Sequence, residues 1–131
     1  MCEELTPLFL STDSVQRIHL ELVPWARPEH CDVARLDSAV HAVESYAAYG
    51  EPSDLFDLAA AYAFYISEAQ ALLEGSKRTA LVACMDFLKI NGVPTKYYDD
   101  GDLFDWMLEI ANKQIGREEF AERLRRPFEE P

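Results

Sequence analysis

One short segment, Glu74-Gly75-Ser76-Lys77-Arg78, combines residue types that can bind an anion. Gly75 and Ser76 interrupt a helical pattern, and a new helix is expected to follow them with free N–H groups at its start. Glycine lets the backbone approach a phosphate closely, and Lys77 or Arg78 can supply positive charge. The residue types alone leave a second interpretation open, in which Lys77 and Arg78 are ordinary exposed charges and Glu74 is a solvated acid.

The other residues that could bind a metal or act as nucleophiles are scattered along the chain. The three histidines are His19, His30 and His41. His19 lies on an apolar stripe, which favours a core histidine with satisfied hydrogen bonds over a metal ligand. The three cysteines, Cys2, Cys31 and Cys84, form neither a CxxC pattern nor an even-numbered disulfide set. We therefore expect reduced thiols and a cytoplasmic protein.

Charge and hydropathy limit the possible partners. Twenty-four acidic residues against twelve Lys and Arg give a net charge of -12, which argues against nucleic acid as a partner. The longest uncharged apolar run, residues 58 to 66, is too short to span a bilayer, so no membrane partner is expected. An acidic surface would favour basic protein partners, and an acidic interaction module is one open hypothesis.

Hydrophobic periodicity predicts an all-α domain of about six helices, with no strand predicted firmly. Helix caps are expected at Ser11 or Thr12, Asp32, Ser53 or Asp54, and Asp99 or Asp102. The third helix, from residue 55 to residue 66, is apolar on several sides and should lie at the centre. Residues 95 to 98 are open to either a short strand or an extended link, and Trp25 and Trp106 are interpreted as packing groups.

Four segments carry a family resemblance when their order and spacing are taken together. The closest match is residues 77 to 81, Lys-Arg-Thr-Ala-Leu, followed by residues 87 to 92, Phe-Leu-Lys-Ile-Asn-Gly. Three further segments add to it: residues 9 to 11 with Val15, Ile18 and His19, residues 36 to 40 with Tyr49 and Gly50, and residues 54 to 62. Together they resemble the Doc (death-on-curing) toxins, a compact branch of the Fic superfamily. The resemblance implies one Doc-like Fic-fold domain over residues 1 to 131, with its core at about 9 to 126.

The signature of that family reads His-x-Phe-x-Asp/Glu-Ala/Gly-Asn-Lys/Gly-Arg, and this chain matches only part of it. The matching positions are Glu74, Gly75, Lys77 and Arg78. The departures are Gln70 for the histidine, Leu72 for the phenylalanine and Ser76 for the asparagine. In addition, residues 23 to 28, Val-Pro-Trp-Ala-Arg-Pro, replace a Gly-rich stretch of the family.

The resemblance implies ATP-dependent transfer of a phosphate or AMP to a protein hydroxyl, with Mg²⁺ as the metal. Glu74 would hold the metal, and the ATP phosphates would be bound by Gly75, Ser76, Lys77 and Arg78, with Arg78 also counted as catalytic. Gln70 occupies the position of the general base, but an amide has no useful basicity near neutral pH. Ser76 could still cap the fourth helix, and Glu68 adds negative charge close to Gln70.

These features predict a Doc-like protein of a toxin–antitoxin-type system that is catalytically impaired and acts by binding a protein partner. The resemblance makes an antitoxin helix the candidate partner. The alternative is an active phospho- or AMP-transferase toxin.

Overall fold

The computed structural model describes residues 6–50 and 53–129, and this part of the chain is an all-α bundle, as predicted. Its six α-helices are α1 Thr12–Leu22, α2 Val33–Tyr49, α3 Leu55–Ala69, α4 Ser76–Ile90, α5 Asp100–Ala111 and α6 Arg117–Arg125. Short 3-10 turns occur at Pro28–His30 and Arg126–Phe128. Residues 95 to 98 contain turns and no strand. None of the helices in the described ranges is both long and apolar enough to cross a membrane.

Four helices begin at the predicted caps. At each one a side-chain oxygen accepts a hydrogen bond from the backbone N–H three residues later, which satisfies a donor that the helix itself leaves free. These caps are Ser11, Asp32, Asp54 and Asp99. The predicted cap at Ser76 is wrong. Gly75 precedes α4 without a side-chain cap, and Ser76 is the first residue of the helix.

Helix α3 lies at the centre of the bundle and packs against α2, α4, α5 and α6. Residues 59 to 63 on it are completely buried. The Tyr62 ring packs against Phe87 of α4 with centroids 5.2 Å apart. Its hydroxyl accepts a hydrogen bond from the Leu10 N–H at 2.9 Å, so the segment before α1 is attached to the core. The apolar sequence of α3 is therefore explained by neighbours on several sides, as predicted.

The beginning of α3 is joined to the end of α6 by ion pairs. Arg125 donates to Asp54 at 2.7 Å and to Asp57 at 3.1 Å. Burial acts to raise the pKa of Asp54, but hydrogen bonds from Arg125 and the Asp57 backbone outweigh it, so this pKa lies below its ordinary value. Because Asp54 also caps α3, the same carboxylate stabilises two helices.

This arrangement predicts a pH-dependent contribution to stability. A carboxyl group with a lowered pKa in the folded state stabilises the fold above its unfolded pKa of about 3.9, and this contribution is lost as the pH falls through the lower folded value. Arg125→Gln should lower the free energy of unfolding at pH 7 by no more than about 1 kcal/mol, since the pair is partly exposed to solvent. Urea denaturation of both proteins at pH 7 and pH 3 checks this. A difference that stays the same at pH 3 contradicts the assignment.

Candidate functional site

The loop between α3 and α4, residues 70–75, is bounded by two left-handed backbone conformations. Gln70 has φ of 50° and ends α3, and Gly75 has φ of 82° and precedes α4. This conformation suits glycine because it has no Cβ, whereas it is uncommon for glutamine. The chain therefore turns sharply at both ends of the predicted site.

An extended segment before α2 pairs with the middle of the loop. Leu73 N–H donates to the His30 carbonyl at 2.9 Å, and Asp32 N–H donates to the Ala71 carbonyl at 2.7 Å. These bonds flank an isolated antiparallel bridge between Cys31 and Leu72. The Leu72 side chain is buried. Backbone pairing and one apolar anchor thus fix the first half of the loop.

The end of α1 holds the second half of the loop. His19 is buried, and its Nε2 lies 3.0 Å from the Glu74 carbonyl oxygen. Because a carbonyl can only accept, Nε2 must be the donor, which requires the tautomer or charge state with a proton there. His19 is therefore a core histidine with a hydrogen-bond partner, as predicted.

Trp25 is not the packing group that the sequence suggested. It is 67% exposed, and its Nε1–H donates to Glu74 Oε1 at 2.5 Å. The reason lies in the local turn, which is closed by Ala26 N–H donating to the Val23 carbonyl at 2.9 Å. Val23 enters the protein interior, and Trp25 is left on the surface beside the loop. Trp106 does pack as expected, edge-on against Phe120.

The predicted site residues line two different cavities. The first, of about 770 Å³, is lined by Gln70, Ser76 and Lys77. Its wall also contains the acidic residues Glu29, Asp32 and Glu68, so one cation faces three carboxylates. Each of these carboxylates also has a cationic neighbour outside the wall: Arg27 lies 4.0 Å from Glu29, Arg35 lies 3.5 Å from Asp32, and Lys113 lies 3.8 Å from Glu68. The negative charge of the three carboxylates is therefore offset by neighbouring cations, and the charge of this wall does not mark it as a phosphate site.

The second cavity, of about 480 Å³, lies over the beginning of α4. The predicted metal and phosphate residues that line it are Glu74, Gly75, Ser76, Lys77 and Arg78. Two exposed aromatic rings, Trp25 and Phe104, complete its wall. Lys77 and Arg78 outnumber the single acid here, and free N–H groups of the α4 N-terminus add positive potential.

The residues of the sequence motif are thus distributed over the walls of the two cavities. Ser76 and Lys77 line both cavities, whereas Gln70 lines only the first, and Glu74 and Arg78 line only the second. Ser76 Oγ donates to the Leu72 carbonyl at 3.3 Å, so its hydroxyl is already engaged within the loop. The predicted catalytic position and the predicted metal position therefore lie on two adjoining cavities, which share Leu73, Ser76 and Lys77.

A magnesium ion in the second cavity would need ligands beyond those that the protein supplies there. Within residues 6–50 and 53–129, no group of three or more His, Cys, Asp or Glu side chains could form a metal site made of protein alone. The Glu74 side chain is exposed, and in the same ranges only Oε1 has a hydrogen-bond partner. Mg²⁺ often binds through one carboxylate, substrate phosphates and water, which this arrangement allows.

Sequence reasoning missed Trp25 and Phe104 as parts of this wall. The signal for Trp25 was its place between Pro24 and Pro28, because prolines mark turns and connecting segments usually run over the protein surface. Phe104 gave no comparable signal, since an aromatic residue in an amphipathic helix predicts core packing.

Comparisons with known proteins agree with the resemblance of the sequence. No protein-family profile matches the chain. The chain is 31% identical over 101 residues to "Protein kinase doc" of Escherichia phage P1, which covers 77% of this chain and 79% of that protein. It is 36% identical over 93 residues to "Toxin Doc" of Mycolicibacterium smegmatis. This match covers 70% of this chain and 67% of that protein. With this extent of similarity and the helical bundle described above, the chain belongs to the Doc family.

Proposed function

We propose that this chain is a Doc-type protein of a toxin–antitoxin system that binds ATP phosphates but transfers them poorly, and that it acts mainly by binding a protein partner. The observation that carries the proposal is Gln70 at the position where the family has its general base, next to a loop that keeps Glu74, Gly75, Lys77 and Arg78 over the start of α4. The relatives named as a kinase and as a toxin support the functional class.

Each residue has a defined part in the proposed binding step. Lys77, Arg78 and the N–H groups at the start of α4 bind the phosphates through charge and hydrogen bonds. Glu74 holds Mg²⁺, which neutralises phosphate charge when it is bound. Arg78 has no ion-pair partner among the described residues, so its guanidinium is available for a ligand.

The transfer step lacks a proton acceptor. Phosphoryl transfer depends mostly on positioning and on stabilisation of charge, so slow transfer is possible without a base. The Gln70 amide can orient an attacking hydroxyl but cannot take its proton. The carboxylates of Glu29, Asp32 and Glu68 line the same cavity as Gln70, and each of them lies within 4.0 Å of a cationic side chain.

The binding half of the proposal predicts that Mg²⁺·ATP stabilises the protein and that Arg78→Ala weakens this effect. A lost charge-assisted contact of about 1.5–3 kcal/mol corresponds to about 10- to 100-fold weaker binding. Calorimetric titration and thermal shift measure it. Arg126→Ala is the matched control, because Arg126 is also exposed but lines neither cavity. Equal loss in both variants would indicate nonspecific charge attraction and contradict the proposed site.

The partner half of the proposal predicts stable association with an antitoxin helix. Coexpression with the product of the adjacent gene, followed by co-purification at high salt, tests it. Recovery only at low salt would instead favour an acidic interaction module, consistent with the net charge of -12.

The alternative function, an active transferase toxin, rests on the retained Glu74, Gly75, Lys77 and Arg78. It predicts that expression in bacteria arrests growth and that Arg78→Ala relieves the arrest. Normal growth on expression of the wild-type chain contradicts this alternative and leaves the impaired protein as the better explanation.

A further inference from the structure

We propose that Trp25 is a positioning residue for the Glu74 carboxylate, and that it raises the affinity of the second cavity for a divalent cation. This inference rests on the proposed binding of Mg²⁺·ATP. It concerns a residue in the segment that departs from the family pattern, so the resemblance does not assign it.

The end of α1 and its following turn contact the Glu74–Gly75 pair in three different ways. Trp25 Nε1–H binds the Glu74 carboxylate, and His19 Nε2 binds the Glu74 carbonyl. Val23 lies against Gly75 so closely that a Cβ at residue 75 would come within 2.7 Å of Val23 Cγ2. Residues 19 to 25 therefore fix the position of the Glu74 side chain, the Glu74 carbonyl and the α-carbon of Gly75.

The exposure of Trp25 indicates that packing is not its main role. Burial of a tryptophan side chain normally stabilises the fold through the apolar area that is removed from water. Trp25, however, keeps about two thirds of its accessible surface in contact with solvent. Val23 already fills the interior position of the turn at 4% exposure. Trp25 adds the indole N–H to the site, and this group donates a hydrogen bond but cannot accept one.

The hydrogen bond from the indole N–H limits the conformations of the Glu74 side chain. An exposed glutamate side chain ordinarily samples many rotamers, and a cation that binds it must stop this motion. With Oε1 held by the indole, Oε2 has no hydrogen-bond partner among the described residues, and Glu74 lines the same cavity as Lys77 and Arg78. Hydrogen bonds to metal-binding carboxylates typically change metal affinity by about 10- to 100-fold.

The test uses Mn²⁺ as a paramagnetic probe together with a non-hydrolysable ATP analogue. Trp25→Phe keeps an aromatic ring and removes the N–H, and it should weaken Mn²⁺ affinity by about 10-fold, measured by electron paramagnetic resonance. Trp106→Phe is the matched control. It changes the other of the two tryptophans, which lies in neither cavity, and it should leave Mn²⁺ affinity unchanged.

A second readout follows the indole itself. In the Trp106→Phe protein, Trp25 gives the single indole ¹⁵N–¹H resonance, because the chain has two tryptophans. Glu74→Gln should shift this resonance, since the charged acceptor is replaced by a neutral one. A general loss of stability that left the hydrogen bond between Trp25 and residue 74 unchanged would not shift the indole resonance.

The outcomes separate this inference from the proposed function. Weaker Mn²⁺ binding in Trp25→Phe with an indole shift in Glu74→Gln supports both. Tight Mn²⁺ binding that is equal in wild type and Trp25→Phe, or an indole resonance unaffected by Glu74→Gln, overturns the role of Trp25 and leaves nucleotide binding intact. Absence of Mn²⁺ binding to the wild-type chain with the ATP analogue overturns the proposed function and this inference with it.

Discussion

Gln70→His is expected to increase transfer from ATP to protein by about 10²–10⁴-fold, because it supplies the general base that the chain lacks. The backbone should accept the change. Gln70 has φ of 50°, and histidine is several-fold more frequent than most residues in this left-handed region. Labelling of proteins in a cell lysate with ATP carrying ³²P at either the γ- or the α-phosphate measures the rate and shows which group is transferred.

Gln70→Asn is the matched control for this experiment. Asparagine also tolerates the left-handed conformation, but its amide has no more basicity than that of glutamine. Equal labelling by the histidine and asparagine variants would contradict the expectation. It would mean that the cavity of Gln70, with Glu29, Asp32 and Glu68 in its wall, is too far removed from the phosphate site for a base to act.

Gly75→Ala is expected to destabilise the protein by about 2–5 kcal/mol and to weaken Mg²⁺·ATP binding. Left-handed backbone costs an alanine about 1–2 kcal/mol. Overpacking against Val23 Cγ2, 2.7 Å from the new Cβ, adds about 1–3 kcal/mol. Relief of that contact would push residues 74 and 75 away from the end of α1, so binding should fall together with stability. Chemical denaturation and calorimetric titration measure the two effects.

Gly92→Ala separates the two contributions to this cost. Gly92 has φ of 85°, close to that of Gly75, but a Cβ there meets no atom within 4 Å. It should therefore lose only the backbone part, about 1–2 kcal/mol, and keep full nucleotide binding. The double variant Gly75→Ala/Val23→Ala should recover part of the packing loss. Equal destabilisation at both glycines, with no recovery in the double variant, would contradict close packing of Val23 on the loop.

The helices of this protein were predictable because their causes are local. A cap is formed between residues three positions apart, as in the bond from the Ser14 N–H to Ser11 Oγ at 3.1 Å. Helix α3 is apolar on several sides and was expected at the centre of the domain, and its neighbours on several sides confirm that. The failure at Ser76 also has a local cause, since Gly75 already occupies the position before the helix.

The site was only partly predictable, because its decisive contacts join distant parts of the chain. The amino-acid sequence alone shows which residue types the loop contains, that position 70 is not a histidine, and that the chain resembles a known family. The tertiary structure decided that His19 and Trp25 hold Glu74 across 55 and 49 positions of sequence. It also shows that Gln70 lines one cavity together with acidic residues, while Glu74 and Arg78 line the adjoining one. Periodicity shows which face of a helix is apolar, but the loop contacts depend on how α1, α3 and α4 are packed together, and no pattern within a single segment specifies that arrangement.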